Sequence, residues 1–157
     1  MVLTMLLTPH VFIGLVIAKF FPNPLLAVPL AFVSHFLGDL TPHWDFFSGT
    51  KKEERLKGWR PLAVMADFGL GIGIGVLFTA KYLWLDNKVE LAIASFLCGI
   101  AAVLPDALEA PYMCLDKFPT FIRTITEVQG KLQTQAPIVI GITIQLAVII
   151  LSLTYLL

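Results

Sequence analysis

Histidine and aspartate residues cluster in the first third of the chain at a spacing that suits metal binding. His35, Asp39 and His43 follow one another at intervals of four residues, and Asp45 comes two residues later. Side chains four residues apart lie on the same face of a helix, so His35 and Asp39 should point the same way. His43 follows Pro42, where the helix should end, and its ring could turn back toward them. Such a group suits a divalent ion, with zinc the first choice and manganese or iron the alternatives.

Other polar residues lie within or at the ends of apolar segments. Carboxylates inside membrane segments are costly, and they usually face a bundle interior or a wet cavity. We therefore predict a site for one or two metal ions with these ligand candidates: His10, His35, Asp39, His43, Asp67 and Asp106. Asp45 is the candidate general base, as a carboxylate left outside the coordination.

The composition indicates that these residues belong to a membrane protein. Of the 157 residues, 57% are hydrophobic and 14% are charged, whereas roughly a quarter are charged in an average globular domain. The mean hydropathy is +0.84. Eleven basic and 11 acidic residues give a formal net charge of zero, which argues against a nucleic-acid partner. Membrane lipid is the expected partner.

Hydrophobic stretches and polar loops alternate along the chain. Their pattern predicts an all-α fold, an integral membrane bundle of about four to five transmembrane or re-entrant helices in one domain. A lipid-exposed sheet is excluded because its edge would leave backbone groups unsatisfied. The stretches are about 2–21, 25–40, 61–85, 89–104 and 137–157, and the polar loops are 43–60 and 106–136.

Several residues mark the expected helix ends. Thr8 followed by Pro9 predicts that the first regular helix begins there with Thr8 as its N-cap. The second stretch should end before Pro42 and the fourth at Pro105, because proline disfavours helix in the residue before it. Part of 106–136 is expected to form an interfacial helix. In the third stretch the small-residue spacing predicts close helix packing, at Gly69, Gly71, Gly73 and Gly75.

The distribution of basic residues predicts an orientation in the membrane. If all five stretches cross, eight lysines and arginines lie in the two polar loops on the side of the N-terminus, and three lie on the opposite side. The positive-inside rule then places the N-terminus and both loops in the cytoplasm. In the same arrangement, the histidines and aspartates of the predicted site would lie at one membrane face.

Four segments resemble a family of small bacterial inner-membrane proteins that are predicted to be membrane-bound metal-dependent hydrolases. The segments are Thr8-Pro9-His10, the stretch from Ser34 to Asp45, Leu104-Pro105-Asp106, and Gln129-Gly130-Lys131. The resemblance implies a metal site and hydrolysis of an ester or phosphoester, as in the distantly similar zinc-dependent phospholipases. Where the family often has a second acid, two residues after the Leu-Pro-Asp aspartate, this chain has Leu108, with Glu109 beside it.

These observations leave three functions open. In the first, a metal-dependent hydrolase activates water against an ester or phosphoester whose lipid tail lies in the bilayer. In the second, a transporter uses the same His/Asp cluster as a proton relay or metal-ion pathway. In the third, the metal is a structural staple, since structural zinc sites are closed whereas catalytic ones keep an open position.

Overall fold

The computed structural model describes residues 5–51, 54–55, 57–110 and 119–157, and regular structure within these ranges is helical. The all-α prediction is confirmed there. Residues 2–4 of the first predicted stretch and 111–118 of the second polar loop lie outside these ranges. The helices are α1 Leu7–Phe20, α2 Pro24–Leu40, α3 Arg60–Ala80, α4 Val89–Glu109, α5 Thr120–Leu132 and α6 Ile138–Leu156.

Within the described residues, three helices are long and apolar enough to cross a membrane: Arg60–Leu85, Val89–Glu109 and Ile138–Leu156. The first of these is α3 continued by a π-helical turn over Lys81–Leu85. Helices α1 and α2 are also apolar, but they have 14 and 17 residues. At a rise of about 1.5 Å per residue, each is shorter than a hydrocarbon core of about 30 Å.

Two predicted helix boundaries are wrong, and both corrections concern the site. Helix α1 begins at Leu7, with Leu6 rather than Thr8 at the N-cap position. Helix α4 continues through Pro105 to Glu109. Proline removes one backbone hydrogen bond, a loss that the last turns of a helix packed on its neighbours can tolerate. Asp106 and Glu109 are therefore held by a helix rather than by a loop.

The end of α2 agrees with the prediction. This helix begins at Pro24, where the Asn23 side chain accepts a hydrogen bond from the Leu25 amide, and it ends at Leu40, before Pro42. The chain then pairs with the segment that leads into α6, since the His43 amide donates to the Thr134 carbonyl at 3.0 Å. This pairing fixes the first residues after α2.

The core lies between α1, α2 and α4 and is built largely from small side chains. Seven alanines are buried there with Tyr82, Leu91 and Cys98. Short side chains let helix backbones approach closely. At Gly14 of α1, a Cβ atom would come within 2.7 Å of the Cys98 carbonyl oxygen of α4. Of the glycine run in α3, Gly71 and Gly75 pack on Val11, whereas Gly69 and Gly73 face open space.

The helices alternate in direction, so the predicted site residues collect at one end of the bundle. Contacts there join the start of α1 to the start of α3 and to the end of α2, as between Thr8 and Asp67 and between His10 and Asp39. At the other end, the Lys19 ammonium donates to the carbonyl oxygens of Tyr155 and Leu156. A cation at the last carbonyls of α6 complements the helix dipole.

Candidate metal centre

Helices α1 and α2 contribute three fully buried polar side chains to one cluster. His35 and Asp39, one turn apart on α2, bring the His35 Nε2 and Asp39 Oδ2 atoms to 3.6 Å. From α1, His10 places its Nε2 atom 3.4 Å from Asp39 Oδ1. The two imidazole rings stack with centroids 4.2 Å apart. Gly38 makes room for the His10 ring, because a Cβ atom at Gly38 would lie 2.8 Å from His10 Cε1.

Asp106 completes the cluster from α4. Its Oδ1 atom lies 3.4 Å from His35 Nε2, and its side chain is 9% exposed. One ligand atom each from His10, His35 and Asp106 lies within 4.8 Å of the other two, so this group could hold a metal ion. The prediction of a divalent-ion site is thus confirmed in its coarser form, as a buried group of suitable ligands.

The separations between these atoms match those around a metal ion better than those of hydrogen bonds. Metal–ligand bonds of about 2.1 Å in tetrahedral geometry place neighbouring ligand atoms about 3.4 Å apart. Hydrogen bonds between nitrogen and oxygen are usually shorter, at about 2.7–3.2 Å. The three imidazole–carboxylate distances are 3.4, 3.6 and 3.4 Å. The 3.4 Å between His35 Nε2 and Asp106 Oδ1, two members of the converging ligand group, therefore suits two ligands of a shared cation.

Hydrogen bonds around the cluster orient its ligand atoms. The His35 Nδ1–H donates to the Ala102 carbonyl oxygen at 2.8 Å. The lone pair of His35 Nε2 therefore points at Asp106 and Asp39, as in metal sites where the second ring nitrogen is fixed by a carbonyl group. The Met5 amide donates to Asp39 Oδ1 at 3.2 Å. The carboxylate of Asp39 is thus held between the backbone and the two histidines.

Several polar atoms of the cluster are buried with no hydrogen-bond partner among the described residues. They are both ring nitrogens of His10, Oδ2 of Asp39 and Oδ2 of Asp106. Buried polar atoms are nearly always satisfied, and an ion can satisfy them as well as water can. The cluster therefore suits a bound cation in three respects: its ligand atoms are nitrogen and oxygen, they lie close together, and several of them have no hydrogen-bond partner among the described residues.

His43 stands apart from this group. Its Nδ1–H donates to the Thr41 carbonyl oxygen at 2.9 Å, and the backbone pairing with 134–136 holds it in place. Its Nε2 atom is buried without a hydrogen-bond partner in the described part of the chain. Electrostatic interaction with His43 acts on Asp45, so these two residues form a neighbouring pair.

Asp67 forms its hydrogen bonds with the start of α1 and not with the histidines. Its carboxylate accepts hydrogen bonds from the backbone amides of Leu7 and Thr8, at 2.6 and 3.3 Å, and from the Thr8 hydroxyl at 2.6 Å. The first amides of a helix have no partner within the helix. Asp67 of α3 therefore supplies the cap of α1, and the structure gives it this role rather than a place among the clustered ligand atoms.

Asp45 and Asp106 line one cavity beside the cluster. The cavity has a volume of about 70 Å³. Burial raises the pKa of the Asp45 carboxyl, while hydrogen bonds from the Phe47 amide and from Ser48 act in the opposite direction. Asp106 belongs to both the cluster and the cavity, so the cavity adjoins the predicted metal centre. Its lining also includes Met5, Leu6, Leu7, Phe46, Phe47, Val64, Asp67, Glu109 and Ala110.

Gln129 of α5 also contacts the cluster, although it was not among the ligands predicted from the sequence. It is fully buried, and its amide nitrogen lies 2.8 Å from Asp106 Oδ1 and 3.0 Å from His35 Nε2. A signal was available, because Ile122, Thr126 and Gln129 are the buried positions of α5 and recur at helical spacing. A glutamine on the inward face of a short amphipathic helix indicates a polar partner inside.

Comparisons of the chain with protein families, with characterised proteins and with solved structures find no match.

Proposed function

We propose that this protein is a membrane-embedded, metal-dependent hydrolase that acts on an ester or phosphoester of a lipid. One observation carries the proposal: His10, His35 and Asp106 converge from three helices with their ligand atoms within 4.8 Å of one another. Polar side chains are expensive to bury in an apolar bundle unless they find partners, and several atoms of this cluster have none among the described residues. A shared ion offsets that cost and supplies chemistry.

A bound divalent ion would act as a Lewis acid and make water acidic enough to be a nucleophile near neutral pH. His10, His35 and Asp106 would hold it, and Asp39 would hold both histidines in register. Asp45 lines the adjoining cavity and burial raises its pKa, and in this proposal it would accept the proton of the attacking water. A buried carboxylate with a raised pKa is better matched to this role than an exposed one.

Lipid is the favoured substrate class because of the surroundings of the site. The cavity combines acids with apolar side chains, among them Leu6, Leu7 and Phe46. Three helices have the length and composition of membrane spans, so the cavity would lie near the head-group region of one leaflet. Exposed Lys51 and Lys57 in the adjoining loop would attract anionic head groups.

The orientation predicted from the basic residues places this end of the bundle at the cytoplasmic face of a bacterial inner membrane. Zinc is the first candidate for the ion, with manganese and iron as alternatives. These assignments follow from the charge distribution, from the resemblance and from the nitrogen and oxygen ligand set.

A structural metal site is the second candidate function. His10, His35 and Asp39 are buried to 1% exposure or less, as the closed ligand set of a structural ion would be. The cavity that Asp106 lines beside the cluster favours catalysis over this alternative. Transport has less support, because the buried cluster between α1, α2 and α4 continues as alanines and other apolar side chains.

The test begins with metal content and then asks for chemistry. Elemental analysis of detergent-purified protein should find near-stoichiometric metal, and His35→Ala and Asp106→Asn should lose it. Asp86→Asn, which changes a partly exposed acid paired with Lys81 at the opposite end, should keep it. Hydrolysis would then be assayed on bis(p-nitrophenyl) phosphate and on phosphatidic acid in mixed micelles. Retained metal without turnover on any ester would leave the structural function, and absence of metal in the wild type would end both.

A further inference from the structure

Helix α5 places one side chain between two ligand atoms of the predicted metal centre. The amide nitrogen of Gln129 donates to Asp106 Oδ1 at 2.8 Å and lies 3.0 Å from His35 Nε2. Because His35 Nδ1 donates its proton to the Ala102 carbonyl, Nε2 is the acceptor in this contact. The Gln129 amide thus donates to both atoms.

A cation bound to His35 would need the lone pair of Nε2, which is the only one that this nitrogen has. His35 Nε2 and Asp106 Oδ1 are 3.4 Å apart, and two acceptors this close need a positively polarised group between them. Without an ion, the Gln129 NH₂ group is that group. An ion bound to His35 Nε2 would displace the amide proton from that atom, so the amide cannot keep this hydrogen bond when the site is filled.

The other end of the same amide is unused. Gln129 Oε1 is buried and has no hydrogen-bond partner among the described residues, which is an expensive state for a carbonyl oxygen. Half a turn about the last side-chain bond exchanges the nitrogen and oxygen positions. The oxygen would then lie about half an ångström closer to each neighbouring ligand atom than the roughly 3.4 Å of a tetrahedral site, a gap that a small side-chain shift corrects.

We propose that Gln129 is a ligand of the metal ion through its Oε1 atom, and that its amide group holds the ligands in place when the ion is absent. The inference rests on the metal site proposed above and extends it to a helix that nothing else connects with coordination. An uncharged amide oxygen binds more weakly than a carboxylate, so this ligand would be the one most readily exchanged for water or substrate.

Whether Gln129→Glu raises or lowers the metal affinity distinguishes a Gln129 that binds the ion through its oxygen from one that only donates a hydrogen bond. Gln129→Glu puts an anionic oxygen where the ligand oxygen should lie, and it removes the N–H donor. An oxygen ligand predicts tighter binding of Zn²⁺ and Co²⁺ than in the wild type, measured by competition with a chromophoric chelator. Gln129→Ala should weaken binding by about tenfold or more, a typical loss around metal sites. Gln135→Glu makes the same charge change at an exposed position and should leave the affinity unchanged.

A spectroscopic measurement gives a second test, which is needed if carboxylate crowding prevents Gln129→Glu from folding without metal. The visible absorption of bound Co²⁺ depends on coordination number, so Gln129→Ala and Gln129→Asn should change its intensity and position. Weaker binding in Gln129→Glu, or an unchanged Co²⁺ spectrum in Gln129→Ala, would overturn the inference while wild-type binding preserved the metal site. Absence of metal binding in the wild type would overturn both.

Discussion

A single methyl group at Gly38 should disturb metal binding without removing any ligand. In Gly38→Ala the new Cβ atom would lie 2.8 Å from His10 Cε1, 3.1 Å from His10 Nδ1 and 3.3 Å from the Met5 methyl carbon. Ordinary carbon–carbon contacts are about 3.5–4.0 Å, so the His10 ring must move by roughly 0.7 Å or more. On its other side the ring is stacked on His35, and this limits where it can go.

The expected loss of metal affinity follows from how far the His10 ring can move in the metal-bound and in the metal-free protein. Metal sites hold ligand distances to about 0.2 Å, so the filled site cannot follow the ring. Overpacking of this kind costs about 1–3 kcal/mol, which corresponds to a loss of roughly 5- to 150-fold in metal affinity. Without metal no ligand distance has to be kept, so the ring can take up the displacement that its stacking on His35 allows, and replacing a helical glycine by alanine returns up to about 1 kcal/mol. The stability of the metal-free protein should therefore change little.

The assay compares chelator-competition affinities with thermal unfolding followed by circular dichroism in detergent. Gly73→Ala is the matched control, since a Cβ atom there meets nothing within 4 Å, and it should be neutral or slightly stabilising. In a His10→Ala background the added methyl group has space, so Gly38→Ala should not lower the unfolding temperature. If the metal dissociation constant of Gly38→Ala stayed within about a factor of two of the wild-type value, this reasoning about His10 would be refuted.

Three further substitutions test other parts of the structure. Asp67→Ala should destabilise the protein by about 2 kcal/mol through loss of the α1 cap, with metal stoichiometry unchanged on elemental analysis; loss of metal would make Asp67 a ligand. Gln145→Leu should cost about 2–4 kcal/mol in thermal unfolding, because the Leu6 amide and the Trp44 carbonyl lose their partner; a wild-type unfolding temperature would contradict this. Asp45→Asn should lower turnover on the active ester by about 100-fold or more and leave bound metal intact, whereas unchanged turnover would exclude Asp45 as the base.

The parts of the site that depend on local spacing could be predicted from the sequence. His35 and Asp39 lie together because four residues make slightly more than one turn of a helix. Helix α2 ends at Leu40 because Pro42 disfavours the helical conformation in the residue before it. The approach of His10 and Asp106 could be predicted because successive helices run in opposite directions, so that the start of α1 and the end of α4 lie at the same end of the bundle.

The remaining features depend on tertiary contacts that local rules do not describe. Packing of α4 overrides the expected stop at Pro105, so Asp106 is presented from a helix. Asp67 was a plausible ligand by charge and depth, yet its partners are amides some 60 residues away. Gln129 was overlooked because an uncharged amide in a polar segment carries little signal until its burial is known.

The capping of α1 by Asp67 also constrains the order in which the chain can be assembled during synthesis. The N-terminal residues emerge from the ribosome first, but the acceptor for the Leu7 amide lies 60 residues further along the chain. Until α3 arrives, the first turn of α1 must remain in contact with water, because unsatisfied amides are excluded from the bilayer interior. His10 lies in the next turn, so the proposed centre should become competent to bind metal late in biogenesis, after α3 has capped α1 and α4 has supplied Asp106.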